Sequence, residues 1–307
     1  MKEITVICPI YNEQENIKEF IEKFNEIFIK NKKFNFSILF SDNASIDGSR
    51  EILQEICQKN NNIKYIRYNK NHGVMKSIFT AINNVTSDAC AVFDCDLQDT
   101  PELLLDFIKN WENGYKIVYG KRLKRKESFA MSFFRNIFKK FSYTLRGYNI
   151  EIESGAFFLD KNVIQDLKNY DFDPFLPALI ERLGFSKISV RYDRIERKYG
   201  QSKFNFFGYL SYAIDGLISG TIQPLRISIF CSFLFALISF LSAIYFLIAK
   251  FYLNILFAEG IAAIIIINLF SFSLIFLFFG ILGEYIGKIF LKDESKKLPK
   301  IAEKFNL

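Results

Sequence analysis

The first half of the chain alternates short apolar runs with stretches whose apolar residues recur at helical spacing. EITVICPI (3–10) is such a run, and in residues 15–30 Ile17, Phe20, Ile21, Phe24 and Phe28 share one helical face. NFSILFSD (35–42), a helix over about 47–58, IKYIRY (63–68), a helix over about 73–84, DACAVFDCD (88–96) and a helix over 101–113 continue the alternation. Such βαβ alternation predicts an α/β domain with a mostly parallel sheet. After KIVYGK the pattern turns irregular and basic. It resumes at GAFFLD, with helices expected near 161–168 and 174–184 and a strand near 187–192.

Polar chemistry collects where the expected strands end. AVFDCDLQ (91–98) is an apolar run closing in two carboxylates one residue apart. Alternation along a strand would put Asp94 and Asp96 on one side and Cys95 on the other. Two carboxylates so placed suit Mg²⁺ or Mn²⁺, whose other positions are commonly filled by phosphate oxygens at nucleotide sites. A surface turn in which Asp99 and Thr100 cap the helix opened by Pro101 and Glu102 accounts for Asp99, but not for the other two acids. The first expected strand ends in Pro9, Ile10, Tyr11, Asn12 and Glu13, and the second in Ser41, Asp42, Asn43 and a turn through Asp47 and Gly48. Three strand ends then face one cleft, where open α/β sheets bind ligands. Asp42 could accept a base N–H there and Glu13 could meet ribose or base, while Asp47 is also placed to cap a helix.

Hydropathy divides the chain unevenly. Residues 227–249 and 261–282 carry no charged side chain, and each is long enough to cross a bilayer at ~1.5 Å rise per residue. Basic residues flank this pair, with Arg226 before it and Lys288, Lys292, Lys296, Lys297, Lys300 and Lys304 after it. The connecting loop holds Lys250 against Glu259. By the positive-inside tendency the large domain and the tail are expected in the cytoplasm, on a multi-pass protein of the cell inner membrane. The reading is a cytoplasmic α/β domain over 1–200, a juxtamembrane helix over 201–226, a membrane hairpin over 227–287 and a basic cytoplasmic tail over 288–307. No amino-terminal signal peptide is evident, because Pro9 and Asn12 interrupt the first apolar run.

The net charge of +7 is better explained by a membrane surface than by nucleic acid. Lys121, Arg122, Lys124, Arg125 and Lys126 precede a segment, 129–148, in which Phe133, Phe134, Ile137, Phe138, Phe141 and Leu145 recur at helical spacing. A basic, phenylalanine-rich amphipathic helix suits an anionic leaflet, and no nucleic-acid motif accompanies it. The five cysteines are odd in number and lack CxxC spacing, which indicates a reducing compartment and no zinc site. His72, the single histidine, sits between Asn71 and Gly73 in an expected turn and reads as structural or phosphate-side.

Taken together, CPIYNEQENI, SDNASIDGS, NHGVMKSI and DCDLQDTPELL resemble the boxes of family 2 inverting glycosyltransferases of GT-A fold, particularly the polyisoprenyl-phosphate glycosyltransferases. IERKYGQSKFNFFGYLSYAIDGLISGTIQPLRI resembles the block that precedes that family's membrane hairpin, so the resemblance runs from residue 4 to about 285. It implies a nucleotide-sugar site, UDP- or GDP-linked, formed by Pro9, Tyr11, Glu13, Asp42, Asn43, Lys76 and Asp94. Asp94 and Asp96 would hold the metal and the diphosphate, with Gln98 near the donor sugar or acceptor. Arg122, Arg197, Ser202 and Lys203 would meet the acceptor phosphate, and cations and a hydroxyl in a glycine-containing loop do suit phosphate oxygens.

Two departures from the family pattern stand out. Asn43 replaces the second aspartate of its DDGS box, and Ala156 replaces the aspartate of its GDFR box, for which Glu153 is the candidate replacement. A lipid phosphate acceptor softens the second loss, since a phosphate with a second pKa near ~6 arrives largely deprotonated and needs little general base. The expected function is therefore transfer of a hexose, with inversion, from a nucleotide sugar to undecaprenyl phosphate. Transfer to a lipid-linked saccharide hydroxyl, or an inactive nucleotide-binding membrane scaffold, are the alternatives. The sugar, the nucleotide and any homo-oligomer stay open at this level.

Overall fold

β1 (Lys2–Ile10) buries all seven residues from Ile4 onward, which is why ITVICPI lacks a polar alternation. It is a central strand covered on both faces. In the computed structural model, residues 1–123, 155–170, 176–195, 261–295 and 298–307 are described, with isolated positions between 140 and 252. The amphipathic segment 129–148 and most of 201–260 lie outside them, as do many side chains within 261–295.

The elements follow the expected order. α1 is Ile17–Lys30, β2 Phe34–Asp42, α2 Ser49–Lys59, β3 Ile63–Tyr68, α3 Val74–Asn83, β4 Ala89–Val92 and α4 Leu103–Glu112. β5 is Ile117–Arg122, β6 Phe157–Asp160, α5 Lys161–Lys168, α6 Leu176–Arg182, β7 Lys187–Tyr192, α7 Ile261–Ser295 and β8 Ile301–Phe305. The described strands form one sheet in the order β7-β5-β6-β4-β1-β2-β3-β8. β4, β1, β2 and β3 run parallel, β6 is antiparallel to β4 and β5, and β7 is parallel to β5.

Strand alternation splits the core in two. Ile4, Val6 and Cys8 face Phe20 and Phe24 of α1, Leu53 of α2, and Leu104, Phe107 and Trp111 of α4. Ile7, Leu39 and Ile66 face Ile78 and Phe79 of α3, Val163 and Leu167 of α5, and Leu179 of α6. Asp160 fastens the first layer to the sheet: its carboxylate accepts from Trp111 Nε1 at 2.7 Å and Lys116 Nζ at 3.0 Å, and it caps α5 through Asn162 N.

Three expectations change. DACAVFDCD does not stay extended to its end: β4 stops at Val92 and residues 95–96 form a turn, so strand alternation does not orient Asp94 and Asp96. Helix 261–282 continues to Ser295 as α7. The tail over 288–307 is not a free basic extension, because after α7 its last residues add β8 to the sheet, antiparallel to β3. Ile301 pairs with Tyr68 and Phe305 with Tyr65, so the chain enters β8 at the carboxyl end of β3. Among the described residues no helix is long and apolar enough to cross a membrane. Where α7 side chains are described, many are apolar and exposed, including Ile267, Phe276, Phe279 and Ile289.

Candidate active site

The loops after β1, β2 and β4 each contain one non-glycine residue in the left-handed region: Asn12 (φ 57°), Ala44 (φ 62°) and Leu97 (φ 52°). Asparagine tolerates this backbone, whereas alanine and leucine hold it at a cost of ~1–3 kcal/mol that the surroundings must offset. For the first two loops the offset is visible as reciprocal hydrogen bonds. Asn12 N donates to Ser45 Oγ at 2.9 Å, and Asn12 Oδ1 accepts from Ile46 N at 2.9 Å. Gln14 N donates to Asp47 Oδ2 at 3.1 Å, and Gln14 Oε1 accepts from Gly48 N at 2.8 Å. A Cβ on Gly48 would stand 2.8 Å from that same Gln14 oxygen, so a larger residue there would displace the Gln14 amide. Asp47 also accepts from Ser49 N, consistent with the expected capping role.

Asp42, at the end of β2, has no exposed surface. Oδ1 accepts from Ser45 N at 2.8 Å and Ser45 Oγ at 2.6 Å, and Oδ2 accepts from Tyr65 Oη at 2.8 Å with Arg67 Nε 3.5 Å away. The expected open acceptor for a base is thus a buried hub joining the β2 turn to β3. The Tyr65 hydroxyl is raised well above the usual tyrosine range by burial and by Asp42. It therefore stays a neutral donor. Asn43 is also buried, and its Oδ1 accepts from His72 N at 3.2 Å.

The acid loop has a different character. Asp96 and Asp99 are buried and Asp94 is half-buried, within one turn of chain. Burial, then the charges of Asp96 and Asp99, push Asp94 up to about 7, while Arg194 and Arg122 pull in the other direction. Asp99 does not cap α4. It accepts from the Tyr192 hydroxyl, and Arg194 Nε lies 3.3 Å from the same oxygen. Its other oxygen, and Nε of both Arg122 and Arg194, are buried without a hydrogen-bond partner. Gly155 completes the loop: a Cβ there would stand 2.5 Å from Asp94 Oδ2, so backbone presses directly on the carboxylate.

Three carboxylates beside the two guanidiniums of Arg122 and Arg194 are a setting a divalent cation would stabilise. No group of three His, Cys, Asp or Glu side chains able to hold a metal occurs among the described residues. Asp94 and Asp96 could supply two carboxylate ligands to Mg²⁺ or Mn²⁺, which accept water and phosphate oxygens in their remaining positions.

Of the other expected residues, Pro9 is buried in β1 opposite Ser41, and Tyr11 and Glu13 line the β1 loop half-buried, with Glu13 Oε2 accepting from Asn16 Nδ2 at 2.7 Å. Lys76 sits in the first turn of α3, behind Gly73 at φ 84°. Gln98 does not reach free into the cleft: its carbonyl accepts from Ile195 N at 3.0 Å and its Nε2 donates weakly to Ile195 O at 3.4 Å. Arg122 ends β5 beside Tyr192. His72 has its Nε2 3.0 Å from Asn69 Oδ1, and burial and the neighbouring lysines lower its pKa. Glu153, Arg197, Ser202 and Lys203 lie outside the described residues. Ala156 is wholly buried and brings no polar side-chain atom. Asp99, Gly155, Tyr192 and Arg194 join the site unannounced, although YDR closes its strand in charge as SD closes β2.

Comparison with known proteins follows from this geometry. Residues 5–167 match the model of glycosyl transferase family 2. An uncharacterized glycosyltransferase of Bacillus subtilis, YkcC, is 31% identical over 96% of this chain and 91% of its own length. A bactoprenol glucosyl transferase of Shigella phage SfX is 28% identical over 95% of this chain and 96% of its own. Among solved structures, glucosyl-3-phosphoglycerate synthase from Mycobacterium tuberculosis, in complex with Mn²⁺, UDP and phosphoglyceric acid, shares the fold with a TM-score of 0.52 at 12% identity, over 69% of this chain and 75% of that one. The mostly parallel α/β sheet is thus of GT-A type. With more than half of its residues under one family model and a relative above 30% identity along nearly its whole length, the chain belongs to glycosyl transferase family 2 and is a glycosyltransferase.

Proposed function

We propose that this glycosyltransferase moves a hexose from a UDP- or GDP-sugar to undecaprenyl phosphate at the cytoplasmic face of the inner membrane, with a divalent metal and with inversion. The observation that carries the reading is the acid loop at the carboxyl ends of the parallel strands, where Asp94, Asp96 and Asp99 crowd together with Arg122 and Arg194 beside them. A divalent cation would complement the carboxylates and bring a phosphate-rich donor to them, while Arg122 and Arg194 offer charge complementary to phosphate. Bound at Asp94 and Asp96, a cation would supply neutralisation of the departing nucleoside diphosphate.

The chain's own residues would do the rest. Strand-end loops locked by the Asn12–Ser45 and Gln14–Gly48 bonds would orient the nucleoside. An acceptor phosphate oxygen would attack the anomeric carbon from the face opposite the leaving group. The bond to the nucleoside diphosphate breaks as the new C–O bond forms, and its electron pair leaves on the diphosphate. No proton need be removed, which is compatible with Ala156.

Lipid access is supported from two sides. The uncharged runs 227–249 and 261–282 suit a membrane hairpin, and many described side chains along α7 are apolar and exposed. Lys300, whose carbonyl accepts from Asn69 N just past β3, follows Ser295 by five positions, so α7 ends within ~18 Å of chain from the site end of the sheet. The bactoprenol relatives act as precedent for the lipid.

The test is to incubate purified protein with undecaprenyl phosphate, Mg²⁺ or Mn²⁺ and a panel of UDP- and GDP-sugars, reading nucleoside diphosphate release and glycolipid. The expected result is a metal-dependent glycolipid that is lost in Asp96→Asn. Turnover only with a saccharide hydroxyl as acceptor would replace the lipid-phosphate reading.

A further inference from the structure

β8 is made from residues that follow the expected membrane segment, yet it pairs with β3 of the catalytic sheet. Without it β3 would be an edge strand with a row of unpaired backbone groups. The pairing is specific. Glu303 holds Arg50 Nη2 at 2.5 Å and accepts from Gln54 Nε2 at 2.8 Å, both from α2. Asn306 Nδ2 donates to the carbonyls of Cys57 and Ile63 at 2.8 Å, and the Phe305 ring lies 6.0 Å from that of Tyr65.

Two of the four β3 residues that pair with β8 also hold Asp42. Tyr65, opposite Phe305, donates its hydroxyl to Asp42 Oδ2. Arg67, opposite Glu303, lies beside the same oxygen and donates through Nη2 to Ser45 O at 3.2 Å, on the turn that locks Asn12. Arg67 Nε is buried with no hydrogen-bond partner, so packing rather than a full set of bonds keeps that guanidinium in place.

We propose that β8 is a working part of the donor-nucleotide site: by fixing Tyr65 and Arg67 it positions Asp42 and the β2 turn, so that donor affinity depends on residues 300–306. This rests on the reading of the strand-end loops as the nucleotide site. β8, Tyr65 and Arg67 are positioning elements, remote from the reacting atoms. Because β8 follows α7 directly, it also ties that helix to the donor site.

The experiment uses the full-length protein and measures UDP and GDP binding by calorimetry, together with KM and kcat where turnover is found. Glu303→Lys places a cation against Arg50 and opposite Arg67, and hydrogen exchange over residues 63–69 reports whether β8 has come away. A chain ending at Pro299 serves where the single change leaves β8 paired. The expected result is a roughly 10-fold weaker nucleotide Kd and higher donor KM with kcat within about twofold, restored in Glu303→Lys/Arg50→Glu. Tyr65→Phe, with β8 still paired, should reproduce part of the loss. A released β8 with unchanged Kd, or a fall in kcat at unchanged KM, overturns the inference and leaves the proposed function standing. Wild-type protein that binds neither nucleotide overturns both.

Discussion

Asp42 at the end of β2 and Asp94 in the loop after β4 both lie at the carboxyl end of the sheet, and their surroundings are opposite in kind. Asp42 is surrounded by donors: two from Ser45, one from Tyr65 and the nearby Arg67. Asp94 is surrounded by other acids, with Gly155 backbone against it, and is pushed up to about 7. A carboxylate whose lone pairs are satisfied inside the fold holds loops together. A carboxylate crowded by like charge is poised to take up a proton or a cation. The same residue type after two parallel strands is thus satisfied inside the fold in one place and left crowded by like charge in the other.

Breaking the chemical end should cost most. Asp96→Asn is expected to lower turnover at least ~100-fold while the melting temperature changes little, read by glycolipid formation beside thermal unfolding. Asp42→Asn attacks the architectural end and should show the inverse pattern. An amide cannot accept from every donor around Oδ1 and Oδ2, so a loss of about 3 kcal/mol is expected in denaturant unfolding. Equal stability loss in both variants would erase the distinction.

Gly155→Ala sharpens the comparison at smaller cost. Its Cβ would meet Asp94 Oδ2 at 2.5 Å and turn the carboxylate away, so Mn²⁺ affinity should fall ~10-fold with stability within about 1 kcal/mol. The pH dependence follows from the raised Asp94, whose ordinary value is 3.8 and whose folded value is about 7. A proton competes with the metal below about 7, so Mn²⁺ affinity should rise with pH up to that point and then flatten. In the metal-free protein the folded state holds this proton more tightly than the unfolded one. Its stability should therefore fall as pH rises from about 4 to about 7, and Asp94→Asn should remove that slope. Smallest of all, His72→Gln should change kcat by less than about twofold, because its ring is engaged with Asn69 and Tyr68.

Much of this was legible along the chain. Helical spacing located α1 to within two residues, and IKYIRY was read as β3 without error. DCDLQD marked the acid loop, because carboxylates following an apolar run have few structural uses. The orientation of Asp94 and Asp96 was not legible: β4 ends at Val92, and Leu97 takes a left-handed backbone that strand alternation does not anticipate. Asp99 looked like a helix cap because capping is a local rule, whereas its partners Tyr192 and Arg194 are more than ninety residues away.

The sequence by itself determined the α/β alternation, the family, the uncharged runs and the identity of the acid-bearing loops, since these rest on periodicity and neighbouring residues. Tertiary structure alone decided that Asp42 is enclosed by donors and Asp94 crowded by carboxylates, that Gly155 must be small, and that IAEKF (301–305), a weak apolar–polar alternation, becomes a strand. Those outcomes depend on which distant donors, acids and open sheet edge each segment meets, and nothing local to the segment carries that information.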